Sequence, residues 1–246
     1  MFLQEKGSQM NVHPDQFFRA HHYATFDPSK IYDDSTEVNI ERESVREALL
    51  WLHGQLWPFI IESGMDLHTH WKEIHQVSST HLIDNFMPKI MSMWVHYGKS
   101  KSQILSVQDV TSFYRHARIQ VYINNYEVRC WLIYTDVDVY DKKAFLDKLR
   151  KDLDFRFSFW IAANNIFDKG YYYCVGDERL DLTQDVTQNE FLNFVRSDKK
   201  GLYSGFIKNY APNDVRISRK NIVQELKQCY KELYPLYEMM AEKINI

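Results

Sequence analysis

The stretch ARIQVYINNYEVRCWLIY, residues 117–134, decides the fold. Ala117, Ile119, Val121 and Ile123 alternate with Arg118, Gln120 and Tyr122. Val128, Cys130, Leu132 and Tyr134 then alternate with Arg129, Trp131 and Ile133. A period of two sends successive side chains to opposite faces of a strand. Asn124-Asn125-Tyr126 lies between the two runs as turn material, so an antiparallel hairpin is predicted.

Upstream, Met91, Met93, Val95 and Tyr97 alternate with Ser92, Trp94 and His96, which predicts a third strand. Downstream, Tyr171–Val175 and Tyr203–Tyr210 are the fourth and fifth strand candidates. Around this sheet the period changes to that of a helix. Val45, Leu49, Leu52, Leu56 and Ile60 form one stripe between Asn39 and Ser63. Ser44-Val45-Arg46-Glu47 has the form of a capping box, and Gly64 suits a left-handed stop. Pro58 predicts a kink or an early end, because it lacks an N–H and crowds the preceding turn. Shorter helices are expected at Val107–Tyr114, Asp141–Leu153 and Thr187–Val195. A long final helix is expected from Ser218, with Ile222, Leu226, Cys229, Leu233, Leu236 and Met240 inward and Pro235 as an interruption.

These elements predict an α+β fold: a central antiparallel sheet of about five strands packed against two long helices, with shorter helices between strands. Residues 1–38 are polar and irregular, but Phe17, Phe18, Tyr23 and Phe26 predict an arm packed on the body. Residues 39–246 then form a single α+β domain.

The bulk properties narrow the function classes. The chain has 246 residues, enough for a sizeable core, with 45% hydrophobic and 26% charged residues. Only 8 Gly are present, which argues against phosphate-cradling loops. There is no GxxxxGK[ST] loop, no dinucleotide glycine pattern, no G-x-S-x-G elbow and no paired C-x-x-C. No nucleotide-cofactor motif is therefore found. No run of about 18 apolar residues occurs, so no membrane partner is expected. The first residues, MFLQEKGSQMNVHPDQ, lack the apolar stretch of a signal peptide. Cys130, Cys174 and Cys229 are odd in number and sit in apolar surroundings, which predicts buried free thiols and a cytoplasmic setting.

Net charge is −3 but unevenly spread: residues 1–97 hold 7 basic and 13 acidic side chains, residues 98–163 hold 11 and 8, and the rest 12 and 12. A uniformly basic nucleic-acid binder is not indicated. A local basic face remains open around Lys99, Lys101, Arg115 and Arg118.

Three clusters are candidates for chemistry. In MDLHTHWKEIH, residues 65–75, an extended backbone would turn Asp66, His68 and His70 to one side, with His75 nearby. Two imidazoles and a carboxylate suit a divalent metal ion, and His81, His96 and His116 are further local ligands. Asp66-Leu-His-Thr-His70 also resembles the opening motif of the PHP family of metal-dependent phosphoesterases. In that family the motif follows a buried first strand and opens a long βα barrel, with further ligands from later strands. Here it follows a helix and Gly64, and no histidine lies beyond position 116, so the family is not assigned.

The second cluster follows the strongest strand. Asp136 and Asp138 offer hard oxygen ligands for Mg²⁺, and Asp141 with Lys143 matches the D-x-K half of a nuclease pattern. Glu127 or Asp109 would then supply the upstream acid. The competing reading of Asp141 is a helix N-cap favoured by the helix dipole.

The third cluster is Arg115 and Arg118 with Tyr122 and Trp131, charge beside aromatic faces, a pairing suited to phosphate contact and base stacking. Cation–π packing on an ordinary exposed sheet face is the alternative. The tail from Tyr203 to Tyr237 resembles the close of DNA-recognition modules in some bacterial restriction systems, without a catalytic motif. The leading expectation is a soluble binding module, with nucleic acid as the partner class. A metal-dependent hydrolase or nuclease and a structural subunit that binds protein are the alternatives.

Overall fold

The computed structural model describes residues 11–69, 77–79, 82–84, 87–106, 116–134, 140–199 and 202–241. In chain order the elements are α1 (Ala20–Ala24), α2 (Thr36–Glu62), β1 (His68–Thr69), β2 (Val77–Ser79), β3 (Leu82–Asp84), β4 (Met87–Lys89), β5 (Met93–Gly98), α3 (Lys101–Ser106), β6 (Arg118–Ile123) and β7 (Val128–Tyr134). They continue with α4 (Tyr140–Lys151), α5 (Leu153–Asn164), β8 (Tyr171–Val175), β9 (Glu178–Asp181), α6 (Gln188–Arg196), β10 (Ser204–Tyr210), a 3₁₀ turn (Val215–Ile217) and α7 (Ile222–Met240).

The sheet is antiparallel in every described pairing and runs β5-β6-β7-β10-β8-β9, with β1 and β2 both on the outer edge of β5. The fold is α+β as expected, but among the described residues the sheet has eight strands rather than about five. The extra strands are two to four residues long, too short for alternation to register. A separate two-stranded ribbon joins β3 to β4. The β6–β7 hairpin closes as expected: Asn124 Oδ1 accepts the Tyr126 and Glu127 N–H groups at 2.8 and 3.0 Å. The β8–β9 hairpin turns at Gly176, whose φ of +57° suits glycine.

One face of the sheet carries the main core. Val95, Tyr97, Ile119, Val121, Cys130, Leu132, Phe206 and Tyr210 are buried there against the stripes of α2 and α7. Phe18, Tyr23 and Phe26 of the N-terminal arm are buried in the same core, and Phe17 packs on it.

Both long helices run through their prolines instead of breaking at them. Pro58 and Pro235 are exposed, and so are Gly54 and Lys231 one turn earlier. Both prolines thus lie on the outer sides of their helices, and the buried stripes stay continuous. Helix α2 starts earlier than expected, with Ser35 Oγ accepting from Val38 N, and Gly64 stops it at φ +66° as read from the sequence.

The helix expected over Asp141–Leu153 is found as α4, ending at Lys151, and a further helix, α5, follows it directly. Asp152 is extended and its side chain accepts from Phe155 N, capping α5. The run that follows is apolar on most sides, so no single stripe marks it. The helix expected at Val107–Tyr114 falls outside the described residues.

Candidate ligand-binding sheet face

Helices α2 and α7 occupy one face of the sheet, and the alternate residues of the same strands form the other. Cross-strand register sets the rows of this second face. His96, Gln120, Trp131, Ile207, Tyr172 and Asp181 lie in one row. Trp94, Tyr122, Arg129 and Asn209 lie in the next, and Gly98, Arg118, Ile133, Gly205, Cys174 and Arg179 in a third.

Two environments result. Trp131, Ile133, Cys174 and Ile207 form a second, smaller apolar cluster, with Tyr122, Tyr172 and Tyr203 partly buried around it. Beside it His96, Arg118 and Gln120 are a buried polar layer. Trp94 Nε1 donates to His96 Nδ1 at 3.0 Å, and Arg118 Nε donates to Gln120 Oε1 at 3.1 Å.

The margin is aromatic and cationic. The Trp94 and Tyr122 rings lie 6.4 Å apart and nearly parallel, and Tyr122 meets Trp131 at 5.1 Å. The Arg129 guanidinium sits 5.5 Å from the Tyr122 ring centre and 5.3 Å from that of Trp131. Arg179 covers Tyr172 at 4.8 Å. Each arginine also has an acid: Arg129 Nε donates to Glu127 at 2.6 Å, and Arg179 meets Asp181 at 2.7 Å. Burial works against the charge of Arg129, but Glu127 and the tyrosines around it outweigh that, and its pKa ends up raised. Burial pushes the Cys174 thiol up to about 12, so it is no nucleophile at neutral pH. Trp131 Nε1 is buried and has no acceptor among the described residues.

Three of the four residues expected for nucleic-acid contact, Arg118, Tyr122 and Trp131, share this face; Arg115 lies outside the described residues. Arg118 is 2% exposed and Trp131 8%, so the accessible part of the platform is carried by Trp94, Tyr122, Arg129 and Tyr172. Sequence reading passed over Trp94, Arg129 and Tyr172. The alternation of Trp94 with Val95 and of Arg129 with Cys130 already placed two of them on the side away from the core. Tyr172 needed the strand order, because β10 inserts between β7 and β8.

The acidic and histidine clusters are differently disposed. Asp66 Oδ1 is 2.8 Å from His68 Nε2, and its Oδ2 accepts from Gln103 Nε2 at 2.9 Å, so this carboxylate is engaged by its own neighbours. His70, His75, Asp136 and Asp138 lie outside the described residues. Asp141 is in the first turn of α4, wholly buried, while Lys143 is exposed. The lysine that meets Asp141 is Lys99, at 2.6 Å; His116 Nδ1 is at 3.3 Å and Ala117 N donates at 3.0 Å. This carboxylate ties the end of β5 and the start of β6 to the start of α4. Glu127, one of the two acids considered as a partner to the D-x-K pair, is held by Arg129 at the far end of the β6–β7 hairpin. Among the described residues no group of three His, Cys, Asp or Glu side chains is gathered to hold a metal ion.

No helix among the described residues is long and apolar enough to cross a membrane. No known family model matches the sequence, and no curated protein matches it.

Proposed function

We propose that this chain is a binding module whose second sheet face takes single-stranded nucleic acid by base stacking. The observation that carries the reading is the presence of Trp94, Tyr122, Trp131 and Tyr172, from four different strands, on one sheet face, with Arg129 over Tyr122 and Trp131 and Arg179 over Tyr172. Aromatic rings on a sheet face offer bases a sequence-tolerant platform. Three buried free cysteines fit a reducing compartment, and the proposal includes a cytoplasmic setting.

Charge decides the form of the ligand. Glu127 and Asp181 offset Arg129 and Arg179, so phosphate capture contributes little and stacking carries the affinity. Duplex DNA, with its bases stacked inside, is then a poor ligand. Each neutralised phosphate steepens the log–log salt dependence by about 0.7 for a single strand, so a slope shallower than about −2 is expected. The test is a titration of tryptophan fluorescence with a mixed-sequence single-stranded oligonucleotide, with duplex as comparison. Quenching by the single strand is expected, with Tyr122→Ala weakening binding by about 1–3 kcal/mol. Absence of binding at low salt would end this reading.

A protein-interaction role is the second reading, carried by the exposed stripe Leu153, Phe157 and Ile161 on α5. A metal-dependent hydrolase or nuclease is the remaining reading, through either Asp66, His68, His70 and His75 or Asp136, Asp138, Asp141 and Lys143. Elemental analysis of untagged protein and loss of metal in His70→Ala test the histidine set. Mg²⁺-dependent cleavage lost in Asp138→Ala tests the carboxylate set.

A further inference from the structure

On β10, Phe206, Lys208 and Tyr210 point toward the helices, with Lys208 paired to Glu225 of α7, so the alternation turns Ile207 and Asn209 to the second sheet face. Asn209 stands directly opposite Arg129 of β7, in the row that continues through Tyr122 and Trp94. Directly opposed side chains of antiparallel strands start about 5 Å apart. The Asn209 carboxamide and the Arg129 guanidinium are therefore neighbours beside the aromatic rings.

Both residues are half-buried, and each is held on one side. The Tyr172 hydroxyl donates to Asn209 Oδ1 at 3.3 Å. The amide is planar, so this bond turns Nδ2 away from the tyrosine. Glu127 Oε1 accepts from Arg129 Nε at 2.6 Å and also meets Nη2, which leaves Nη1 as the outer guanidinium nitrogen. Among the described residues neither Asn209 Nδ2 nor Arg129 Nη1 has a protein acceptor, and both remain open to solvent. Each nitrogen can only donate.

A base stacked on Tyr122 or Tyr172 brings its edge against these two donors. The edge that matches them carries two adjacent acceptors. Guanine has such an edge in N7 and O6. Adenine sets its N6 amino group beside N7, which would bring a donor against a donor. The pyrimidines are smaller rings and cover less of the aromatic surface.

We propose that the stacking face selects guanine, with Asn209 Nδ2 and Arg129 Nη1 donating to guanine N7 and O6, and with the Tyr172 hydroxyl as the positioning group that aims the carboxamide. The inference rests on the reading of this face as a platform for single strands and adds the base that it prefers.

The experiment is a tryptophan fluorescence titration of the full chain with short single strands. Each strand carries two thymidines on either side of a central guanine, hypoxanthine, adenine or 7-deazaguanine. Hypoxanthine keeps N7 and O6, whereas 7-deazaguanine lacks N7. The guanine and hypoxanthine strands are expected to bind about tenfold tighter than the other two. The near-isosteric Asn209→Leu should bring all four to the adenine level. Tyr172→Phe, which keeps the ring, should shrink the preference while the adenine strand binds as before. Tyr122→Ala should weaken all four strands alike, which separates loss of the platform from loss of base reading. Equal binding of the guanine and adenine strands, or a guanine preference that survives Asn209→Leu, would overturn this inference and leave the stacking reading standing. Failure of every strand to bind would overturn both.

Discussion

At Asp141 three elements are joined by one carboxylate, and the consequences of removing its charge are large. Lys99 and Asp141 are 5% and 0% exposed in their side chains, so screening by water is slight. Asp141→Asn removes the buried carboxylate charge that Lys99 Nζ, His116 Nδ1 and the Ala117 N–H all meet, and a loss of about 3–5 kcal/mol is expected in urea unfolding. Gly205 is a second sensitive residue. A Cβ there would lie 2.0 Å from Leu132 O, a backbone atom of the neighbouring central strand. Gly205→Ala is therefore expected to cost about 3 kcal/mol or more, read as a lower denaturation midpoint. Sequence spacing marked Asp141 as the opening of a helix. Its true partner was not legible, because Lys99 lies 42 residues away and only the sheet brings it close.

Among the elements, α2 shows how a tertiary setting overrides a local rule. A proline inside a helix is disfavoured by about 3 kcal/mol relative to alanine. That cost underlies the expectation of a kink or an early end at Pro58; the helix does not end there but continues to Glu62. Burial of Leu52, Leu56 and Ile60 holds both halves on the sheet, and Pro58 lies on the exposed side of the helix. Pro58→Ala should therefore stabilise the protein by about 1–3 kcal/mol, raising the urea midpoint with an unchanged slope. The strands β6 and β7 were legible almost residue by residue, because alternation is a local signal that a buried face enforces. The strands β1, β2 and β9 were not, since two to four residues carry too little pattern and their pairing comes from a neighbour.

For the molecule as a whole, acid stability should be governed in part by the docking of the N-terminal arm. His22 is buried where α1 meets α2; its Nδ1 accepts from Arg19 N and its Nε2 lies 3.0 Å from Ser44 Oγ. Burial first, then the neighbouring His21 and Arg19, lower its pKa from 6.5 to about 4. The unfolded chain therefore binds the proton more readily than the folded one. The stabilising contribution is complete above pH 6.5, is lost progressively as pH falls toward about 4, and amounts to at most about 3 kcal/mol. His22→Gln should flatten the fall in stability between those pH values, measured by urea unfolding across the range. The α+β class, the central hairpin, the two amphipathic helices and the buried free cysteines were determined by the sequence alone. Each rests on a periodicity or composition that acts over a few neighbouring residues. The strand order, the pairing of Lys99 with Asp141, the presence of Trp94 and Tyr172 on one face with Tyr122 and Trp131, and the docking of the N-terminal arm were decided only by the tertiary structure. Each depends on residues far apart in the chain, which come together through burial of the common core rather than through any local pattern.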